Sequence, residues 1–147
     1  GSMLIKALSF ITVADVSGKE IDQGAMLRYL AETAWFPWAA ARPYIKWKQV
    51  DDTSALATIT WGGITASGTF TFTKEGDVAG FRARRYYYRE GESTLEWWQV
   101  RMDPQGYRDF GGVRVPAKAE VSWDLKGGEF TWFKLTIDGI EYMDGTR

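Results

Sequence analysis

The stretch SALATITWGGITASGTFTFT, residues 54–73, alternates apolar and polar side chains on both sides of a Gly62-Gly63 pair. Two alternating runs joined by two glycines are the signature of a tight β-hairpin, whose turn needs left-handed backbone at both central residues. That turn sets Trp61 opposite Ile64, Ile59 opposite Ala66, Ala57 opposite Gly68 and Ala55 opposite Phe70. The apolar residues then share one face, and Thr58, Thr60, Thr65, Ser67, Thr69 and Thr71 share the other. A slip of one residue would mix the two faces, so the hydrophobic pattern itself specifies the register.

The same logic extends downstream. A KEGD turn brings Phe81 opposite Phe70, Ala83 opposite Gly68, Arg85 opposite Ala66 and Tyr87 opposite Ile64. A row of small residues, Ala57, Gly68 and Ala83, then crosses the inner face, either because a helix packs closely there or because space is left for a ligand. TLEWWQVRM and, after a DPQG turn, YRDFGG read as two further strands. VRVPAKAEVSWDL alternates for thirteen residues, with Pro116 marking an edge or a bulge because it has no N–H to donate. A three-residue KGG loop with a bulge places Val121 opposite Phe133 and Ala119 opposite Leu135. The final strand, EFTWFKLTIDGIEYM, carries aromatics on both faces, so that end of the sheet is covered on both sides or exposes an apolar patch.

Upstream, a first extended segment (about 4–13) precedes DQGAMLRYLAETAWF. Leu27, Leu30, Ala31 and Ala34 recur there at helical spacing, with Asp22 at the N-cap position and Pro37 as the stop. Pro37 in turn suits the start of a short second helix, WAAAR. The fold expected is α+β: a single strongly curved antiparallel meander sheet of about eight strands, a half-barrel, with one long and one short helix over its concave face. One domain spans 3–147. Gly1-Ser2 ahead of Met3 reads as a cloning remnant.

The 147 residues contain no histidine and no cysteine. Disulfides, thiolate chemistry and the usual zinc ligands are therefore excluded, and any catalysis must use carboxylates, tyrosine, lysine or arginine. No phosphate-binding glycine loop or metal motif is present, and no cofactor is expected; Asp51-Asp52-Thr53 reads as a turn before it reads as a calcium site. GFRARRYYYRE, residues 80–90, is the most basic segment. The chain around it is acid-balanced, with a net charge of -1, which argues against nucleic acid as a partner. Alternation puts Arg82, Arg84, Tyr86, Tyr88 and Glu90 on the solvent face, where they can pair with Glu92 and Glu96. Arg85 follows Phe81 and Ala83 inward and needs an acidic partner, for which Glu32 is the candidate, tyrosine hydroxyls, or a ligand anion. Eight tryptophans are more than a domain of this size needs for its core.

RYLAETAWFPWA (28–39), KWKQVDDTSALATI (46–59), YRDFGGVRVPAKAEVSW (107–123) and FTWFKLTIDGIEY together resemble an uncharacterised bacterial family of domains of unknown function, and that resemblance implies that this chain is the C-terminal portion of a longer protein or a short variant. More distantly, the order of strand, helix and meander looks like the half-barrels of periplasmic lipoprotein carriers and receptors. That resemblance implies an apolar ligand held between helix and sheet. The leading expectation is non-catalytic binding of a hydrophobic or lipid-like molecule by Arg28, Glu32, Trp35, Trp61, Phe70, Phe72, Arg85, Tyr87 and Trp98, the charged members marking the polar end. The alternatives are a small cofactor-free enzyme using Glu or Asp, Tyr and Arg in the same cavity, and a homodimeric interaction module built on the last strand. No segment reads as a membrane span, so a soluble protein, cytoplasmic or periplasmic, is expected.

Overall fold

A seven-stranded antiparallel sheet carries the fold, in the order β11-β10-β7-β6-β5-β4-β3. The computed structural model describes residues 2–7, 11–89 and 91–142, those before residue 18 by backbone alone. β1 (Ser2–Ala7) and β2 (Ile11–Ser17) form a separate antiparallel pair, so the first extended segment is two strands; residues 8–10 of it lie outside the described residues. α1 (Lys19–Glu32) and α2 (Pro37–Ala40) follow, then β3 (Ile45–Asp51), β4 (Ser54–Trp61), β5 (Ile64–Phe72), β6 (Val78–Arg89) and β7 (Glu92–Met102). A short 3-10 turn leads into β8 (Tyr107–Phe110) and β9 (Val113–Pro116), and the chain returns through β10 (Lys118–Leu125) and β11 (Gly128–Thr136). The sheet is open and only weakly curved, which replaces the expected half-barrel.

The Gly62-Gly63 hairpin pairs as the pattern requires, with Trp61 opposite Ile64, Ala57 opposite Gly68 and Ala55 opposite Phe70. Both turn glycines adopt positive φ, 58° and 78°, which a side chain would oppose. Phe81 lies opposite Phe70 as expected, but the β5–β6 ladder stops at Thr69 and Arg82. Ala83, Arg85 and Tyr87 therefore pair only with β7, not with Gly68, Ala66 and Ile64. The Arg84 carbonyl, left without a β5 donor, accepts instead from the Gln23 side chain of α1 at 3.0 Å.

Two expectations about the C-terminal half change. β8 and β9 leave the main sheet as their own hairpin, because the thirteen-residue alternation is cut at Pro116: Ala117 N–H turns to the Gly106 carbonyl at 2.7 Å. Val121 does face Phe133, and Ala119 faces Leu135, yet the turn is only two residues long, with Leu125 opposite Gly128, and the extra residue sits farther along β11 at Trp132. β11 ends at Thr136, and residues 137–142 run on without strand pairing. Phe130, Trp132 and Phe133 are exposed, so of the two alternatives for this end of the sheet the apolar patch is the one observed.

The N-cap of α1 is Gly18 rather than the expected Asp22, four residues earlier, and the Gly18 carbonyl accepts from the Asp22 N–H at 3.1 Å; the helix ends at Glu32, before Pro37 is reached. Its Leu27 and Leu30 are fully buried against the apolar sheet face, which together contributes on the order of 3–6 kcal/mol. Phe70, Phe81, Trp98, Val100, Val121 and Trp123 continue the same core across four strands. Beyond α1, Trp35 anchors the β8–β9 hairpin by donating Nε1–H to the buried Pro116 carbonyl at 2.6 Å. No helix of the described residues is long and apolar enough to cross a membrane.

Candidate functional site

Past the C-terminal end of α1, the apolar sheet face is not fully covered. α2 and the β8–β9 hairpin stand around it, leaving a cleft of about 400 Å³ lined by apolar Ala34, Pro37, Trp47, Phe70, Phe72 and Val78 among others. Its volume is that of a small-molecule site. Trp47 comes from β3, on the same face as Ala57 and Gly68, and its ring lies 5.2 Å from that of Phe70; its indole N–H is committed to the Ala40 carbonyl. Phe72 stacks on Phe70 at 6.3 Å.

The cleft has a polar rim on one side. Arg114 of β9 pairs with Asp77 in the β5–β6 turn, and its guanidinium lies 4.6 Å from the Tyr107 ring centre. Tyr107 donates its hydroxyl to the Val78 carbonyl at 2.8 Å. Burial first, and the Asp77 charge second, push the Tyr107 phenol up to about 12. The folded state thus favours neutral Tyr107, so the stability it lends is complete below pH 10 and is lost as pH rises towards 12. Tyr107→Phe should lower stability by about 1 kcal/mol at pH 7, through the missing hydrogen bond, and should flatten the alkaline loss between pH 10 and 12. Urea midpoints of both proteins across that range measure it.

A second group of side chains lies on the same sheet face under α1, toward the other end of that helix. Arg85 projects inward from β6, with its guanidinium 4.8 Å from the Trp98 ring centre and 5.7 Å from that of Trp123. Tyr87 packs on Trp123 at 4.9 Å. α1 approaches so closely here that a Cβ on Gly24 would lie 3.1 Å from Arg85 Nε. Burial, and next the positive charge of Arg28, pull the Arg85 guanidinium below its ordinary value.

The nine residues expected to line one cavity do not converge. Phe70 and Phe72 lie in the cleft, whereas Arg85, Tyr87 and Trp98 belong to the group under α1. Trp35 is a core anchor. Trp61 shares the inner face by register but projects beyond the helix, 70% exposed, with the Tyr44 ring 6.0 Å from its own. Glu32 does not reach Arg85: it accepts from Arg28 one turn earlier on the exposed helix surface, at 2.6 Å. On the solvent face Arg82 pairs with Asp124, and Arg84 donates to the Leu95 carbonyl, while Glu96, expected to serve that face, stands opposite Arg85 on the inner one. Glu90 lies outside the described residues. The row of small residues leaves no void at Gly68, because the Phe81 ring fills the space of its missing side chain.

Trp47, Pro37, Val78, Tyr107 and Arg114 were not expected in the site. Trp47 was accessible to sequence reasoning, since the β3–β4 turn places it on the apolar face; Tyr107 and Arg114 were not, because their hairpin reaches the cleft only by leaving the main sheet. Asp51, the weak calcium candidate, is committed to its turn, accepting from Ser54 Oγ at 2.7 Å and Thr53 N–H at 2.8 Å. Its carboxyl is held below the usual value by the Ser54 hydrogen bond and next by that of the Thr53 backbone.

Fold and site together define an α+β protein with an open antiparallel sheet whose apolar face is only partly roofed by helix. The chain belongs to a family of unknown function (DUF6544), whose model matches residues 1–135. No curated protein and no solved structure matches it.

Proposed function

We propose that the protein binds a hydrophobic or lipid-like small molecule, without catalysis, in the cleft between α2, the β8–β9 hairpin and the sheet. The observation that carries this reading is the cleft itself: about 400 Å³, with Trp47, Phe70 and Phe72 as its aromatic lining. Aromatic and aliphatic walls with few polar groups suit an apolar ligand, and the Arg114–Asp77 pair would lie near any polar end it carries. The enzymatic alternative has less support in the cleft, since the Asp77 carboxylate is held by Arg114 and the Tyr107 hydroxyl by the Val78 carbonyl. The homodimeric alternative draws on the exposed Phe130, Trp132 and Phe133 of β11. A light-scattering mass of one chain at every dilution would remove it.

Titration with a medium-chain fatty acid should quench tryptophan fluorescence saturably through Trp47. Ala40→Trp, which fills the cleft from α2, should weaken that binding at least tenfold while leaving the circular dichroism spectrum unchanged. An absent response in the wild-type protein, or undiminished binding in the filled variant, would refute the reading.

A further inference from the structure

We propose that Arg85 and the uncommitted polar atoms around it form a second binding site, separate from the apolar cleft, for a small singly charged carboxylate bearing a flat apolar group. A guanidinium drawn under a helix normally answers the cost of its desolvation with a carboxylate partner. Arg85 has neither a hydrogen bond nor an ion pair among the described residues; its neighbours are the faces of Trp98 and Trp123.

The second observation is independent of Arg85. Among the described residues four buried side-chain polar atoms lack any hydrogen-bond partner: Gln23 Oε1, Thr94 Oγ1, Trp98 Nε1 and Ser122 Oγ. Three of them belong to residues on the elements packed beside Arg85. Thr94 and Trp98 occupy the inward positions of β7 on either side of Glu96, which is directly opposite Arg85, and Gln23 bonds the Arg84 carbonyl from the helix above. Ser122, opposite Gln99 and in line with Arg82, falls on the other face. Buried polar groups are nearly always paired, so three orphans on the elements beside one unpaired cation mark a place where a partner is missing.

The chemistry of that partner follows from the donors. The planar guanidinium fork matches the two oxygens of a carboxylate, and the indole N–H and the threonine hydroxyl can donate to the same group. Glu96 stands on the same face and opposes a doubly charged anion, while Arg28, whose charge acts on Arg85, is itself partly answered by Glu32. A monoanion is therefore preferred to phosphate. The rings of Trp98, Trp123 and Tyr87 supply walls for a flat apolar group.

Benzoate is the probe. Calorimetry at pH 7 should show saturable binding of benzoate, with acetate and inorganic phosphate at least tenfold weaker. Arg85→Met should weaken benzoate at least tenfold; Glu96→Gln, which removes the negative charge that stands opposite Arg85 and repels an anion, should tighten it about threefold or more. Thr94→Val provides a further loss of affinity if Arg85→Met does not fold. The site is refuted if neither wild type nor Glu96→Gln binds benzoate, or if Glu96→Gln binds it more weakly; preferential phosphate binding overturns the carboxylate assignment. Ala40→Trp should leave benzoate binding unchanged, so failure here and failure of the cleft reading are distinguishable.

Discussion

Trp35→Ala should lower the stability of the protein by about 3–5 kcal/mol, the range for truncating a large buried aromatic side chain. More than area is lost. Trp35 Nε1 donates to the buried Pro116 carbonyl at 2.6 Å, and the Trp35 carbonyl accepts from the Tyr142 hydroxyl at 3.0 Å, so this one residue ties the end of α1 to the β8–β9 hairpin and to the C-terminal segment. Trp35→Phe keeps most of the volume but leaves the Pro116 carbonyl unpaired, and should cost about 1–3 kcal/mol. Urea denaturation separates the two variants. Hydrogen exchange supplies the specific check: amides of residues 107–115 should lose protection in Trp35→Ala well before those of β6 and β7. Uniform loss throughout the sheet would show that Trp35 is an ordinary core residue.

The second large effect is at Gly68. A Cβ built there would lie 2.1 Å from Phe81 Cζ and 2.5 Å from its Cε2, closer than atoms can approach. The ring cannot simply swing aside, because Phe70 flanks it at 4.7 Å and Trp98 at 6.0 Å. A cross-strand aromatic ring covering a strand glycine also compensates the packing that glycine lacks. Gly68→Ala should therefore destabilise by about 1–3 kcal/mol through overpacking. Phe81→Leu alone should also destabilise, while the double variant should recover part of the sum. Chemical denaturation of all four proteins completes the cycle, and strict additivity would mean that the contact does not matter.

Gly68 also shows how a correct register can mislead about space. Alternation about Gly62-Gly63 places Ala57, Gly68 and Phe70 correctly, because the strand period leaves only one arrangement with a single apolar face. Period alone, however, does not say which way a ring leans along its strand. Phe81 leans over Gly68, and the space that one of the two sequence readings left for a ligand is filled. The cleft instead lies where α1 has ended.

The chain's local chemistry determined the α+β class, the β4–β5 hairpin, the Phe70–Phe81 pairing, the inward direction of Arg85 and the start of α2 at Pro37. Each of these follows from side-chain period or from backbone freedom at a glycine or proline, quantities that neighbours in sequence already define. Tertiary structure alone decided that β5 parts from β6 after Thr69 and Arg82, that β8 and β9 form their own hairpin, and that the sheet stays open. It also separated Phe70 and Phe72 from Arg85, Tyr87 and Trp98 into two groups. Those outcomes depend on how a helix and a hairpin compete for one apolar face, and that competition is settled by packing between residues far apart in the chain.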